Sequence, residues 1–305
     1  MNTTSESSCE VAIVGGSFAG VQAALMLARA RKRVLLFDDA QPRNRFASHS
    51  HSVLGHDGKP PAQLMGEARE QLLRYPTVAL RTARVVTADA QAGGFVLGCD
   101  DETRVTARKL VLATGIRDLL PPLPGLAERW GATVLHCPYC HGYEVADRPL
   151  GVLGNAVASP HQALLISEWG PTTYFSQGVH LPDAEQTAAL ERRGVTIEHV
   201  PVVALEGEGS ALRSARLADG REVALAGMFT APHSEPASDL YRQLGCDTEP
   251  GPLGPFVRVD ALQRTSVPGV FAAGDLATAM QSAPLAIAAG TLAGVAAHRS
   301  LLEEA

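Results

Sequence analysis

Long apolar runs are missing from this 305-residue sequence. None approaches the roughly 20 consecutive residues that a membrane-spanning helix needs, so no membrane partner is expected. Cysteine is scarce as well. Five cysteines scattered over a chain this long cannot build a disulfide framework. Cys9, Cys99 and Cys246 stand alone and read as buried structural thiols. There is no excess of positive charge either. Lys and Arg number 26 against 32 Asp and Glu, a net charge of −6, which argues against a nucleic-acid or anionic-membrane partner. The polar stretch Met1 to Glu10 has no basic segment followed by an apolar one. It is expected to be a short disordered tail rather than a signal peptide. A cytoplasmic location is therefore expected, where a C-x-x-C is more often catalytic or metal-binding than structural.

What is present is a globular composition, 46% hydrophobic and 19% charged, long enough for one large domain or two ordinary ones. The first forty residues read as strand, turn, helix, strand. Val11-Ala-Ile-Val14 has strand length, Gly15 to Gly20 is a tight turn, Val21 to Ala30 is helical, and Val34-Leu-Leu-Phe37 is a second strand ending at Asp38. Unbroken apolar strands suit a parallel sheet buried on both faces. A further strand, Lys109 to Ala113, runs into Thr114-Gly115. Pro121, Pro122, Pro124 and Gly125 then punctuate the chain as a linker would. A second strand-turn-helix-strand unit starts at Leu150, turns at Gly154-Asn155, continues through Ala163 to Trp169 and reaches a strand at Thr172 to Phe175. Near the end, a strand over Gly269 to Ala273 enters Gly274-Asp275, and Leu285 to Leu302 is a long Ala-rich helix. The repeated unit predicts an α/β fold with two nucleotide-binding domains.

Three motifs carry chemistry. In Gly15-Gly16-Ser17-Phe18-Ala19-Gly20 the small residues permit a tight turn and bring backbone N–H groups to a pyrophosphate. The helix behind adds positive partial charge, and Asp38 is placed to hold a ribose hydroxyl. Serine stands at the middle glycine position. Thr114-Gly115 and Gly274-Asp275 say little singly. Together with the first motif, Asp275 and nearby helix N-terminal amides are suited to a flavin's ribityl and pyrophosphate. The third motif is Cys137-Pro-Tyr-Cys140, flanked by His136 and His141. Zinc would need about four ligands and no second close pair is evident, so redox chemistry is expected and no metal. Thiol–disulfide exchange requires a thiolate. A histidine of ordinary pKa near 6.5 can take the thiol proton, which makes His136 or His141 the candidate base.

The order of these motifs resembles the low-molecular-weight thioredoxin reductase family over nearly the whole chain. That resemblance implies two Rossmann-like domains, the second inserted in the first: a discontinuous FAD-binding domain over 1-117 and 245-305, and a smaller nicotinamide-type domain over 118-244 carrying the C-x-x-C. It implies FAD as cofactor, a homodimer, Gln281 beside Gly274-Asp275 as a flavin-contacting position, and Cys140 as the flavin-proximal thiol. The sequence departs from the reductases twice. His141 stands where a typical reductase has an acidic residue, and the run His136 to Glu144 resembles a subgroup that includes dithiol oxidases of natural-product pathways, of the gliotoxin, holomycin and romidepsin type. The inner fingerprint is also degraded: Gly154-Asn-Ala156-Val-Ala-Ser159 is followed by Pro160. After the next strand, Ser176-Gln177-Gly178-Val179-His180 offers neither the basic residue that suits NADP nor the acid that suits NAD.

The expected function is accordingly oxidation of a small-molecule or peptide dithiol, with electrons passing through Cys137-Cys140 to FAD and then to molecular oxygen, giving hydrogen peroxide. The alternatives are a thioredoxin reductase driven by NADPH or ferredoxin, and a non-enzymatic flavin redox sensor. A last cluster, His49-Ser-His51 with His56-Asp57-Gly58, is accounted for by a polar loop. In the resembling group that loop follows the ribose-binding acid and lies close to the flavin.

Overall fold

In a computed structural model that describes residues 7–303, the chain divides into two compact units. The first contains the residues up to Arg45, Val53–Arg117 and the chain from Ser234 onward. The second contains Phe46–Ser52 and Asp118–His233.

The first unit opens with β1 (Ser7–Val14), α1 (Phe18–Arg29) and β2 (Val34–Asp38). Side chains alternate across β1, so Val11 and Ile13 enter one core while Ala12 and Val14 enter another on the opposite face. Both faces are covered, which is why the strand reads as an unbroken apolar run. After α2 (Pro61–Leu72) come β3 (Val78–Thr82), β4 (Val85–Gln91), β5 (Gly94–Cys99) and β6 (Arg104–Leu112). β6 is the axis of a seven-stranded sheet. It runs parallel to β1 along one side. On the other side its first half pairs antiparallel with β5. β7 (Ile116–Leu119) then carries the chain out of the unit.

The second unit is built on β8 (Val134–Leu135), α3 (Pro138–His141), β9 (Leu150–Leu153), α4 (Ser159–Ile166), β10 (Thr172–Phe175), α5 (Ala184–Arg192) and β11 (Thr196–Glu198). An antiparallel ribbon of β12 (Val202–Glu208), β13 (Ala211–Leu217) and β14 (Glu222–Ala224) follows, then β15 (Gly227–Phe229). The main sheet is parallel throughout, in the order β11-β10-β9-β15-β8. One face packs on the ribbon through Leu153, Phe175 and Met228. The other packs on α4 through Val152, Tyr174 and Phe229.

β16 (His233–Pro236) returns the chain to the first unit. There α6 (Leu240–Leu244), β17 (Thr248–Glu249), β18 (Phe256–Val257), β19 (Val270–Ala272) and α7 (Ala283–Leu302) complete it. β19 pairs parallel with the second half of β6. α7 lies against α1 at backbone distance, because a Cβ on Gly290 would overlap the Ala19 carbonyl oxygen.

Three expectations are corrected by these elements. The return to the first unit falls at His233/Ser234 rather than 244/245, because Leu240 and Tyr241 of α6 share a core with Val85, Val257 and Val270. Residues 1–6 of the expected tail lie outside the described residues, but Ser7–Glu10 are ordered as strand, with Ser7 in register with Val105 and Cys9 with Ala107. Finally, α7 is long and apolar enough, by length and composition alone, to cross a bilayer. Its Ala293, Ala296 and Ala297 are instead buried in the core with α1.

Candidate active site

The parallel strands of the first unit end together and present one edge. Gly15 follows β1, Asp38 closes β2, Ala113 to Gly115 follow β6, and Gly274-Asp275 follow β19. Backbone bonds lock this edge: Gly15 N–H donates to Phe37 O at 2.9 Å, Ala113 N–H to Val14 O at 2.7 Å and Ala273 N–H to Leu112 O at 2.9 Å. Gly15 has φ +109°, and a Cβ there would strike the Ala113 carbonyl. The Gly15 carbonyl in turn fills the place a Gly20 side chain would take. Ser17 is the N-cap residue of α1 without a side-chain capping bond. The turn is therefore held in a shape that brings the first turn of α1 close to whatever lies above it, which is what a pyrophosphate requires.

Asp38 is 9% exposed and is held from two sides. Gly16 N–H donates to its Oδ1 at 3.3 Å, and the Arg69 guanidinium pairs with its Oδ2. Arg69, on α2, also donates to the Gly16 carbonyl at 2.7 Å. The carboxylate keeps further lone pairs for a ligand hydroxyl. Arg43 pairs with Asp275 at 3.2 Å, and the Gln281 amide donates to Thr278 O and Ala279 O. Thr114 and Gly115 are half-buried, and Gly115 O accepts from Ala237 N–H. Neither Arg69 nor Arg43 is signalled by the sequence motifs, because Arg69 reaches Asp38 from α2 and Arg43 pairs with an aspartate near the other end of the chain.

The two cysteines lie in the second unit. Cys137 is the N-cap of the single-turn helix α3, and Cys140 is within it. One helical turn brings Cys140 Sγ to 2.8 Å from Cys137 Sγ, within the separation that a disulfide can close without moving the backbone. Trp169 packs against this turn. Its ring meets Tyr139 edge to face at 5.6 Å, and its Cδ1 would lie 2.8 Å from a Cβ on Gly142. Tyr139 and Tyr143 are exposed. His136 Nδ1 faces Thr230 O at 3.4 Å, and Gln162 donates to the His136 carbonyl. His141 differs: its Nε2 is buried with no hydrogen-bond partner. Burial holds its pKa below the ordinary value, Glu144 opposes that shift and His51 reinforces it. The neutral imidazole is thus favoured over the imidazolium. Cys9, Cys99 and Cys246 are buried in the first unit, and burial raises all three thiol pKa values, that of Cys9 to about 11. No group of three or more His, Cys, Asp or Glu among the described residues is arranged to hold a metal.

The second strand-turn-helix unit closes on itself. Ser159 stands where the first unit has Gly20, and its hydroxyl accepts the backbone N–H groups of Asn155 at 3.2 Å and Ala156 at 3.1 Å. Pro160 removes one more N–H from the start of α4. At the end of β10, where the first unit has Asp38, Ser176 is fully buried and bonded to Glu198 O and His199. Gln177 clasps both the N–H and the carbonyl of Val202. Two N–H groups of the turn and the side chains after β10 are thus engaged within the protein, an arrangement that fits a nicotinamide dinucleotide poorly.

A family model described as pyridine nucleotide-disulphide oxidoreductase matches residues 9–290. The chain is 33% identical to "Thioredoxin reductase tcpT" of Claviceps purpurea over 96% of this chain and 94% of that protein. The crystal structure of an oxidoreductase from Agrobacterium tumefaciens superposes with a TM-score of 0.93 at 45% identity, covering 98% of this chain and 100% of that one. The crystal structure of HlmI superposes with a TM-score of 0.91 at 35% identity, covering 100% and 96%. With the two strand-turn-helix units and the paired cysteines in place, this chain belongs to the pyridine nucleotide-disulphide oxidoreductase family, as a thioredoxin reductase-like member of it.

Proposed function

We propose that the protein is an FAD-dependent dithiol oxidase that closes a disulfide in a small-molecule or peptide natural product. The observation that carries this reading is the Ser159 hydroxyl lodged in the second turn, in a chain that keeps both cysteines and the first, open turn. A reductase must take electrons from outside the substrate. A chain whose nicotinamide turn is filled by its own side chain is better matched to taking them from a dithiol. The subgroup resemblance of His136 to Glu144 points to the same substrate class.

Gly15, Gly16, Ser17, Gly20, Asp38, Thr114, Gly115, Gly274, Asp275 and Gln281 would hold FAD, with Arg69 fixing Asp38. When bound, FAD supplies a two-electron acceptor that oxygen can regenerate. A substrate thiolate attacks Cys137 Sγ of the Cys137–Cys140 disulfide. The sulfur–sulfur bond breaks and Cys140 leaves as a thiolate. The second substrate thiolate attacks the substrate sulfur of the mixed disulfide, forming the cyclic product and releasing Cys137 as a thiolate. The dithiol has then lost two electrons and two protons. His141, half-buried and next to Cys140 in the chain, takes one thiol proton in its neutral form, and solvent takes the other. His136, with Nδ1 turned to the Thr230 carbonyl, is less suited to that task.

The reading is tested with dithiothreitol and an oxygen electrode. One oxygen consumed and one hydrogen peroxide formed per dithiol oxidised, lost in Cys140→Ser, is the expected outcome. Full turnover by Cys140→Ser, or no oxygen uptake with any dithiol, would sink it.

A further inference from the structure

The proposed chemistry leaves the histidine cluster after Asp38 unused, yet the structure delivers part of it to the C-x-x-C turn. Phe46–Ser52 belongs to the second unit although the first unit flanks it on both sides in sequence. Phe46 anchors the segment: a Cβ on Gly131 would lie 2.7 Å from Phe46 Cβ, so only glycine leaves room for it. Further along, His51 Nε2 lies 3.2 Å from Glu144 Oε1. Glu144 sits in the 3-10 turn Tyr143–Val145 that directly follows α3. His141, in α3, presents a buried Nε2 without a partner. The charged groups acting on it are Glu144 and His51, and the cysteines share its turn. Tyr139 and Trp169 meet edge to face over the same turn.

We propose that His51 and Glu144 are positioning residues that set the field at His141, and with it the pH range in which His141 can take a thiol proton. The inference rests on reading His141 as the base. Glu144 contacts one imidazole, His51, and acts through its charge on a second, His141. When His51 is protonated it spends the Glu144 charge on itself and adds a repelling cation, so the imidazolium form of His141 is disfavoured. When Glu144 stands alone, that form is favoured. The two partners therefore act on His141 with opposite sign.

Opposite signs give a test that a merely structural role would not pass. The oxidised holoenzyme, labelled at histidine with nitrogen-15, is titrated by NMR, and the His141 midpoint is compared across variants. His51→Gln is expected to raise the midpoint by about 0.5–1 unit, and Glu144→Gln to lower it by a similar amount, the size of a partly screened charge contact. Glu144→Asp, which keeps the charge, is expected to restore most of the original value. Because His141 acts only when neutral, the acid limb of dithiothreitol turnover should follow the midpoint in each variant. Flavin absorbance and circular dichroism verify that each variant is folded. Midpoints that do not move, or that move in the same direction in both variants, overturn the inference and leave the oxidase reading standing. If no dithiol is oxidised at any pH, the oxidase reading fails by itself, and the NMR midpoints still decide whether His51 and Glu144 govern His141.

Discussion

Gly15–Gly20 and Gly154–Ser159 occupy the same place in two strand-turn-helix units, and different atoms close their turns. In the first, the Gly15 carbonyl fills the space of the missing Gly20 side chain, and nothing from that side chain enters the turn. In the second, the residue at that place is Ser159, and its hydroxyl accepts the N–H groups of Asn155 and Ala156. The strands that follow differ in the same sense. β2 ends on Asp38, a buried carboxylate with lone pairs to spare, and β10 is followed by Ser176, bonded inward to Glu198 O and His199. A dinucleotide turn is thus closed less by losing a glycine than by gaining a side chain whose oxygen takes the turn's donors.

The largest effect should come from forcing a side chain into the first turn. Gly20→Val places carbon atoms inside the Gly15 carbonyl. It is expected to yield flavin-free protein and to cost about 3 kcal/mol or more of stability, read by flavin absorbance and thermal melting. Next in size, Arg69→Ala leaves Asp38 without its cation and Gly16 O without its donor. Flavin retention should weaken by about one order of magnitude, measured by fluorescence on dilution, with Arg69→Lys intermediate. In the second turn the contrast predicts a milder outcome. Ser159→Ala strips two N–H groups of their acceptor and should lower stability by about 1–2 kcal/mol, with dithiol turnover at saturation kept. A large loss of turnover in that variant would break the comparison.

Smaller effects concern protons and thiols. The half-buried His141 has a depressed pKa, so the unfolded chain binds the proton more readily. Its contribution therefore makes the fold less stable as pH falls through 6.5 toward the lower folded value, and turnover should fall in the same range. His141→Gln should flatten both profiles there. At pH 8 the reduced protein should be alkylated at Cys137 and Cys140, while Cys9, Cys99 and Cys246 stay unreacted until unfolding, as mass spectrometry would read.

The parts of the fold legible in the sequence were those buried on both faces. The ends of β1 and β6, together with β2 and β9, carry unbroken apolar runs, β10 closes on Tyr174-Phe175, and small residues mark the turns after them. The antiparallel additions were not legible, because one face of β4–β5 and of β12–β14 meets solvent, so polar residues interrupt their pattern. At the candidate site, the cysteines, the first turn and the missing charges after β10 could be read from spacing alone. Arg69 could not, since α2 brings it to Asp38 from a helix with no motif of its own. The His51–Glu144 contact was hidden for a similar reason: a segment that sequence order assigns to the first unit packs with the second. Spacing showed serine at position 159, but only the fold shows its hydroxyl turned back into the turn.

In the proposed function, electrons enter through the dithiol and not through the second turn. Rapid mixing of the oxidised holoenzyme under strict exclusion of oxygen, once with excess NADPH and once with excess dithiothreitol, tests it most directly. The flavin absorbance should persist with NADPH and bleach with dithiothreitol. Bleaching by NADPH on the timescale of turnover would contradict the account.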